Sequence, residues 1–139
     1  MAKIYFLDVT NRDGVQTANL GLSKLEKTMI NMYLNEMGVF QSEFGFPTTK
    51  HESLYLRANL ELAEMRVLQP IRLGGWIRAV VADVEKAFNL VPNIKHLNIS
   101  ISTSDQMLQG KFGGSKTQED VIFMMVDAVE AARDHGAER

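Results

Sequence analysis

Charged and polar side chains stand at or near the ends of the short apolar runs in this sequence. Arg12, Asp13 and Gln16 follow the first run. Glu43 lies in the second run, and Arg78 ends the third. A carboxylate can hold a hard divalent cation, and the planar fork of an arginine binds a carboxylate through two hydrogen bonds. If these ends converge, the residue types predict a pocket for a divalent metal and a substrate carboxylate.

Each of these residues also has a purely structural interpretation. Taken alone, Arg12 and Asp13 are typical of a solvated turn, and Glu43 is compatible with the polar side of a strand. Arg78 is equally suited to an ion pair with a neighbouring carboxylate. Lys111 lies in a Gly-rich stretch that lacks the spacing of a phosphate-binding loop, so we expect it to be solvated. The three histidines show no metal-ligand spacing among themselves.

Four apolar runs alternate with four segments of helical periodicity. The predicted strands cover residues 4–9, 39–46 and 95–103, and a further strand lies within residues 70–79, where two glycines leave its start open. The first strand is predicted to be buried. The predicted helices cover residues 22–38, 48–67, 81–91 and 117–136. Residues 104–116 are predicted to form a long loop or irregular turn. The buried face of the second helix is predicted to consist of Leu54, Leu56, Leu60, Leu62 and Met65.

Helix-end signals support two of these helices. Ser23 with Glu26 three residues later matches a capping box at the start of the first helix, and Gly38 suits its end. Thr117 is predicted to cap the fourth helix, with Asp120 near its positive end. The first helix carries apolar residues at helical spacing, which predict a buried face made of Leu22, Leu25, Met29, Ile30, Met32, Tyr33, Leu34 and Met37.

The alternation of strand and helix predicts an α/β fold of four consecutive βα units with a parallel sheet. Two architectures fit this pattern, an open doubly wound sheet and half of a (β/α)8 barrel. A whole barrel needs about 250 residues, so the 139 residues of this chain, taken as one domain at 1–139, supply half of one. Both architectures place their chemistry at the carboxyl ends of the strands, where the polar residues stand.

Composition excludes several classes of function. The formal net charge is −2, whereas a nucleic-acid-binding protein usually presents a basic face. There is no cysteine, which excludes disulfides, thiolate metal sites and thiol catalysis. No apolar run approaches the roughly 18 residues of a membrane-spanning helix, and the N-terminus does not read as a signal peptide. We therefore expect a cytoplasmic protein without nucleic acid or membrane as a partner.

Two sequence blocks resemble a known family. Residues 8–16 are similar to the D-x-T-L-R-D-G-x-Q signature of the metal-dependent Claisen-condensing acyltransferases, which are the isopropylmalate, citramalate and homocitrate synthases. Asn11 stands where Leu is usual, and Val15 where Glu is usual. Residues 35–47 resemble the family's second block, which contains E-x-G-F-P. Residues 104–111 resemble most the homocitrate synthase of the nitrogen-fixation type, and the similarity extends in register along the whole chain.

The resemblance implies a role for each candidate residue. Asp13 would be a ligand of a divalent metal (Mg, Mn or Zn), and Arg12 would stabilise the developing enolate or the polarised keto oxygen. Glu43 would act in the active site as a catalytic residue, while Gln16 and Arg78 would bind the substrate. The implied reaction adds the methyl carbon of acetyl-CoA to a 2-oxo acid, with 2-oxoglutarate favoured, and hydrolysis then releases CoA.

The resemblance also implies an incomplete site. The family's H-x-H metal ligands lie on a seventh strand, which this sequence does not contain. We therefore expect the chain to be inactive alone and to associate through its open sheet edges, with a second copy as a homodimer or with a C-terminal half-barrel chain. The alternative is a non-catalytic half-barrel that serves as a scaffold. A receiver-like domain is a weaker alternative, because its acidic pair and phospho-acceptor Asp are absent.

Overall fold

The computed structural model describes residues 2–138, so Met1 and Arg139 of the predicted domain lie outside the described residues. Within them, one sheet contains the strands β1 (Leu7–Asp8), β2 (Gln41–Gly45), β3 (Arg72–Arg78) and β4 (His96–Ser100). The α-helices are α1 (Lys24–Glu36), α2 (Lys50–Glu64), α3 (Val81–Leu90), α4 (Asp105–Phe112) and α5 (Gln118–Asp134). No helix in this part of the chain combines the length and the apolar character needed to cross a bilayer.

The strand order decides between the two architectures that the sequence left open. Each strand pairs in parallel with the next one along the chain, in the order β1-β2-β3-β4. A doubly wound sheet reverses its strand order at a switch point, whereas the strands of a (β/α)8 barrel follow one another in sequence order. The predicted α/β fold, corresponding to half of a (β/α)8 barrel, is therefore confirmed.

The hydrophobic core lies between one face of the sheet and the helices. Because successive side chains of a strand point to opposite faces, β3 directs Leu73 and Ile77 into this core and Trp76 to the other face. Burial of each large aliphatic side chain contributes about 1.5–3 kcal/mol. The helices contribute the buried residues Leu56, Leu60, Val84, Ala87, Phe88, Ala128 and Ala132. The opposite face of the sheet is thereby left to polar residues.

Helix α1 buries only part of the apolar face that its spacing predicts. Leu34 packs against the core and is partly buried, whereas Leu25, Met29 and Tyr33 are exposed and Lys27 and Asn31 are buried. The prediction is wrong for the exposed residues because much of the inner side of α1 packs on its neighbours through hydrogen bonds between side chains. Buried polar groups are tolerated when they are paired in this way.

Asn31 is the centre of this polar packing. Its Oδ1 accepts hydrogen bonds from Asn11 Nδ2 at 2.9 Å and from Ser42 Oγ at 2.9 Å. Its Nδ2 donates to Tyr55 Oη at 3.0 Å and to Asn59 Oδ1 at 2.9 Å. Burial raises the pKa of the Tyr55 hydroxyl, so this group stays neutral in the cluster. One side chain therefore joins the turn after β1, the strand β2 and the helix α2.

Both predicted N-terminal helix signals are confirmed. Ser23 and Glu26 form a complete capping box at α1, and Thr117 and Asp120 form another at α5. The backbone N–H of the capping residue donates to the carboxylate in each box and lowers the pKa of Glu26 and of Asp120. Gly38 follows α1 with a φ of 75°, a left-handed conformation that glycine adopts without a steric penalty.

The first apolar run is not the buried strand that its composition predicts. Only Leu7–Asp8 of residues 4–9 forms a strand, and Ile4 and Phe6 are 78% and 72% exposed. The prediction is wrong because β1 lies at the edge of the sheet, and no described strand pairs with its outer side. An apolar run is buried only when neighbouring elements cover it.

Residues 104–116 contain a helix where a loop is predicted. Ser104 Oγ accepts a hydrogen bond from Met107 N at 3.3 Å, and α4 runs from Asp105 to Phe112. Gly113 ends the helix in the left-handed conformation, with a φ of 59°. The prediction is wrong because this helix is defined by its two caps and buries only Leu108, so it lacks an apolar periodicity.

The predicted buried face of the second helix is correct in part. Leu56 and Leu60 are buried in the core and Leu62 is partly buried, whereas Leu54 and Met65 are exposed. Residues four apart share a helix face, and residues two apart lie about 200° from each other. Leu54 therefore points away from the sheet when Leu56 points toward it.

We predict that replacing Asn31 destabilises the fold strongly. Asn31→Ala leaves two buried donors and two buried acceptors without their partner, and we expect a loss of about 3 kcal/mol or more in the free energy of unfolding. The matched control on the same helix is Asn35→Ala, which removes one hydrogen bond from Ile71 N and should cost about 1 kcal/mol. Urea unfolding measures the free energy of unfolding of both variants. Equal losses in the two variants would contradict the central position of Asn31.

We also predict an acid-sensitive contribution from the cap of α5. The folded state lowers the pKa of Asp120 from its ordinary value of 3.8. The ionised carboxylate therefore contributes its full stabilisation at pH values above 3.8, and this contribution is lost as the pH falls through the lower pKa of the folded state. Asp120→Asn should therefore flatten the dependence of stability on pH in this acidic range. Unfolding at pH values from 5 to about 2 measures this slope. Identical slopes in the two proteins would contradict the assignment.

Candidate functional site

The turn that follows β1 is closed by hydrogen bonds within its backbone. Val9 O accepts bonds of 3.2, 2.8 and 3.1 Å from the N–H groups of Arg12, Asp13 and Gly14. The carboxylate of Asp8 accepts from Thr10 N at 2.9 Å and from Thr10 Oγ1 at 3.0 Å. The side chains of this turn are thereby presented at the carboxyl end of the first strand, where a barrel places its chemistry.

Asn11 ties this turn to the body of the protein. Its side chain is fully buried, and Nδ2 donates to Lys27 O at 2.8 Å and to Asn31 Oδ1 at 2.9 Å. The sequence departs from the usual Leu of the resembled signature at this position. The structure explains the departure, because the asparagine joins the polar packing of α1, which a leucine could not do.

Arg12 is held on three sides. Its Nε donates to Glu43 Oε2 at 2.5 Å and its Nη1 to Asp13 Oδ1 at 2.8 Å, while the guanidinium carbon lies 4.8 Å from the ring centre of Trp76. The side chain is 18% exposed. Among residues 2–138 no acceptor is bonded to Nη2, so this nitrogen remains available to a ligand.

Glu43 is almost completely buried beneath Arg12, with a side-chain exposure of 4%. Its Oε2 accepts from Arg12, and its Oε1 accepts from Asn98 Nδ2 at 2.7 Å. Asn98 Oδ1 in turn accepts from Gln41 Nε2 at 3.2 Å. These contacts bring Arg12, Asp13 and Glu43 together, whereas their roles in binding and catalysis stay predictions.

Gly74 makes the contact between β2 and β4 sterically feasible. It is the register partner of Glu43 on β2 and of His96 on β4, so it lies between the strands that carry Glu43 and Asn98. A Cβ atom at Gly74 would lie 2.6 Å from Gln41 Nε2. The missing side chain therefore leaves room for Gln41 to reach Asn98 across the central strand.

Sequence reasoning missed three members of this cluster: Gln41, Trp76 and Asn98. A signal for the last was present, because Asn98 alternates with the apolar residues of its strand and so lies on the polar face. Trp76 stands two residues before Arg78 and therefore lies on the same face of β3. What the sequence does not show is which polar side chains of different strands meet.

Gln16 lies beside Arg12 at a cavity of about 360 Å³. Arg12, Gln16 and Trp76 line one part of its wall, and Thr49, His51 and Glu52 line another. Arg12 therefore forms part of the wall of this cavity. The size of the cavity suits a small organic ligand, since ligand pockets of about 300–1,000 Å³ are usual.

A second ion pair supports the wall of this cavity. Glu52 Oε1 accepts from Lys27 Nζ at 2.5 Å, and Glu52 Oε2 accepts from Phe46 N at 2.8 Å. The Lys27 ammonium also lies 4.6 Å from the ring centre of Tyr55. Glu52 therefore connects α1 with the backbone that follows β2, and it positions the start of α2 relative to Arg12.

Asp13 is too isolated to hold a metal by itself. Its side chain is 58% exposed, and Oδ1 is engaged by Arg12. In the described part of the chain, no three acidic or histidine side chains lie close enough together to bind a metal ion. A carboxylate with one free oxygen does not fit the ligand number that Mg, Mn or Zn requires.

Arg78 is not brought to the cavity. Its Nε and Nη2 donate to the two oxygens of Asp83, each at 2.7 Å, in the bidentate geometry that arginine favours. These hydrogen bonds raise the pKa of Arg78. The ion-pair interpretation of Arg78 is thus realised in the structure, and its role in substrate binding stays a prediction.

Comparisons with known proteins agree with the resemblance drawn from the motifs. The model of the HMGL-like family matches residues 3–138. The chain is 67% identical over 99% of its length to the citrate (Re)-synthase of Dehalococcoides mccartyi. It is 33% identical over 96% of its length to 2-isopropylmalate synthase 2 of Caldanaerobacter subterraneus. It is 30% identical over 96% of its length to the homocitrate synthase AksA of Methanocaldococcus jannaschii.

These relatives are much longer than this chain. The matched regions make up 33% of the citrate (Re)-synthase, 33% of the 2-isopropylmalate synthase and 31% of the homocitrate synthase. The chain spans about a third of the length of the curated relatives it matches. Because the family model covers nearly the whole chain, this protein belongs to the HMGL-like family.

Proposed function

We propose that this chain supplies one half of the active site of a synthase that joins acetyl-CoA to a 2-oxo acid. The observation that carries the proposal is the arrangement of Arg12. Its guanidinium is oriented by Glu43, Asp13 and Trp76, and Nη2 is left without an acceptor in the described residues. A donor fixed in this way can stabilise negative charge on an oxygen without first reorganising.

In the proposed reaction, the methyl group of acetyl-CoA loses a proton and its carbon forms a bond to the keto carbon of the 2-oxo acid. The keto oxygen takes up the electron pair, becomes an alkoxide and gains a proton, which balances the proton lost from the methyl group. Water then attacks the thioester carbonyl, and cleavage of the C–S bond releases CoA. We assign Arg12 Nη2 to the oxygen on which this negative charge develops. Gln16, which lines the same cavity, is assigned to binding the 2-oxo acid.

We propose that the metal predicted for this family requires ligands from outside this chain. Asp13 offers one exposed carboxylate oxygen that is not bonded to Arg12. The other ligands would come from the part of the relatives that this chain does not match, or from a partner chain. No step of the proposed reaction depends on the described residues binding a metal alone.

Oxaloacetate is our first choice for the 2-oxo acid, because the relative at 67% identity is named a citrate (Re)-synthase. 2-Oxoglutarate is the second choice, because a homocitrate synthase is also a relative and residues 104–111 resemble that type. In the structure this segment forms the start and body of α4, and Ser104 caps it. The residues that carry this resemblance therefore have a structural explanation in the cap and body of α4, and for this reason we rank 2-oxoglutarate second.

We propose that a C-terminal half-barrel completes the fold, and that association of two copies is the alternative. Large apolar side chains are exposed in the segment before β1, including Ile4 and Phe6, and on α5, including Ile122 and Phe123. Surfaces of this kind usually mark sites of association. A scaffold without catalytic activity would use the same surfaces for association. An assay of catalytic activity is therefore needed to distinguish a synthase from a scaffold.

We predict that the chain shows no turnover alone and gains it from a complementary half. The complement to use is the C-terminal region of the Dehalococcoides mccartyi citrate (Re)-synthase, added with Mg²⁺ or Mn²⁺. Release of CoA from acetyl-CoA is measured with oxaloacetate, 2-oxoglutarate, pyruvate and 2-oxoisovalerate, and we expect oxaloacetate to react fastest. A stable complex without turnover would support the scaffold, and faster turnover of 2-oxoglutarate would support a homocitrate synthase.

We further predict that Arg12→Lys lowers the rate of the complemented enzyme about 10²–10³-fold. A lysine ammonium keeps the charge but cannot donate to Glu43 and to a substrate oxygen in the same planar geometry. The matched control is Arg57→Lys on the exposed side of α2, which should leave the rate unchanged. Equal rates for the Arg12 variant and the unmodified enzyme would contradict the role given to Arg12.

A further inference from the structure

We propose that Asn98 is a positioning residue that orients Arg12 through Glu43. The proposal rests on the function proposed above, because it concerns the same guanidinium group. Asn98 lies on β4, Glu43 on β2 and Arg12 in the turn after β1, so the contact spans the width of the sheet. Neither the motifs nor the spacing of the sequence indicates this contact.

Two hydrogen bonds fix the orientation of the Glu43 carboxylate. A single bond from Arg12 Nε at 2.5 Å would leave the carboxylate free to turn about its own axis. The second bond, from Asn98 Nδ2 to Oε1 at 2.7 Å, fixes the plane of the carboxylate. Because Arg12 Nε–H must point at Oε2, fixing this plane also fixes the direction of the planar guanidinium and therefore of Nη2.

The direction of its hydrogen bonds fixes the orientation of the Asn98 amide. An ionised carboxylate only accepts, so Asn98 has to turn its NH₂ group to Glu43 and its Oδ1 away. Gln41 Nε2 donates to that oxygen at 3.2 Å and is itself buried. The side chain of Asn98 is therefore held at both ends and has one orientation that satisfies its neighbours.

Two carboxylates, those of Glu43 and Asp13, compete for the guanidinium of Arg12. Asp13 accepts from Nη1 at 2.8 Å and is far more exposed than Glu43. If Glu43 were free to turn, the guanidinium would be drawn toward Asp13. Asn98 keeps Arg12 on Glu43, which leaves one Asp13 oxygen and Arg12 Nη2 without a bond in the described chain.

The test uses Asn98→Ala and Asn98→Asp in the full chain. Asn98→Asp keeps the side-chain shape but replaces the donor with an acceptor, and it provides the measurement if Asn98→Ala does not fold. The control is Asn93→Ala, which removes a bond of the same type, from Asn93 Nδ2 to Glu64 Oε1 at 3.0 Å, on the surface. Backbone amide spectra establish that each variant is folded.

The first measurement is the Nε–Hε resonance of Arg12 in ¹H–¹⁵N spectra, assigned by its loss in Arg12→Lys. We expect a slowly exchanging signal in the unmodified chain, and a shift toward the position of free arginine with faster exchange in both Asn98 variants. The Asn93 variant should show no change. A folded Asn98 variant with an unchanged Arg12 signal would overturn the proposal.

The second measurement separates positioning from a merely structural role in the complemented enzyme. We expect Asn98→Ala to lower kcat on the order of tenfold or more, with a KM for the 2-oxo acid that changes little, because the charge met by Nη2 develops in the transition state. An unchanged kcat would overturn the proposal. If the unmodified chain and its C-terminal complement show no turnover together, the proposed function fails. The Arg12 resonance then still decides whether Asn98 orients the Arg12 side chain.

Discussion

The ion pair between Arg12 and Glu43 is the constraint on which the candidate site depends. It joins an exposed turn to the buried interior of the sheet, because Arg12 belongs to the turn after β1 and Glu43 is 4% exposed on β2. A charge buried to this degree is stable only when its hydrogen bonds are satisfied. Both Glu43 oxygens meet this condition, one through Arg12 and the other through Asn98.

The two faces of the sheet separate stability from chemistry. The face toward the helices carries Phe44, Leu73 and Ile77 in a continuous apolar core. The other face carries Gln41, Glu43 and Asn98, whose side chains bond to one another. This division follows from the alternation of side chains along a strand.

The hydrogen-bonded cluster around Asn31 explains why the turn after β1 keeps its position although β1 is short. Asn11 and Asn31 connect the turn to α1, and Asn59 extends the same network to α2. Helix α1 buries Lys27 and Asn31 and exposes Leu25, Met29 and Tyr33. This arrangement departs from the usual amphipathic pattern, which is why periodicity misplaced much of the buried face of α1 while it predicted Leu56 and Leu60 correctly for α2.

The sequence by itself determined the order of the four strands and of the helices α1, α2, α3 and α5, the capping boxes at Ser23 and Thr117, and the family through the blocks around Arg12 and Glu43. Local chemistry is sufficient for these, because a cap or a motif involves residues a few positions apart. Only the tertiary structure decided that the sheet has barrel order, that Ile4 and Phe6 are exposed, and that Arg78 pairs with Asp83 rather than lining the cavity. It also brought Asn98 to Glu43 from 55 residues away along the chain. Contacts of this kind depend on strand register and on the space left by Gly74, and neither can be read from one sequence.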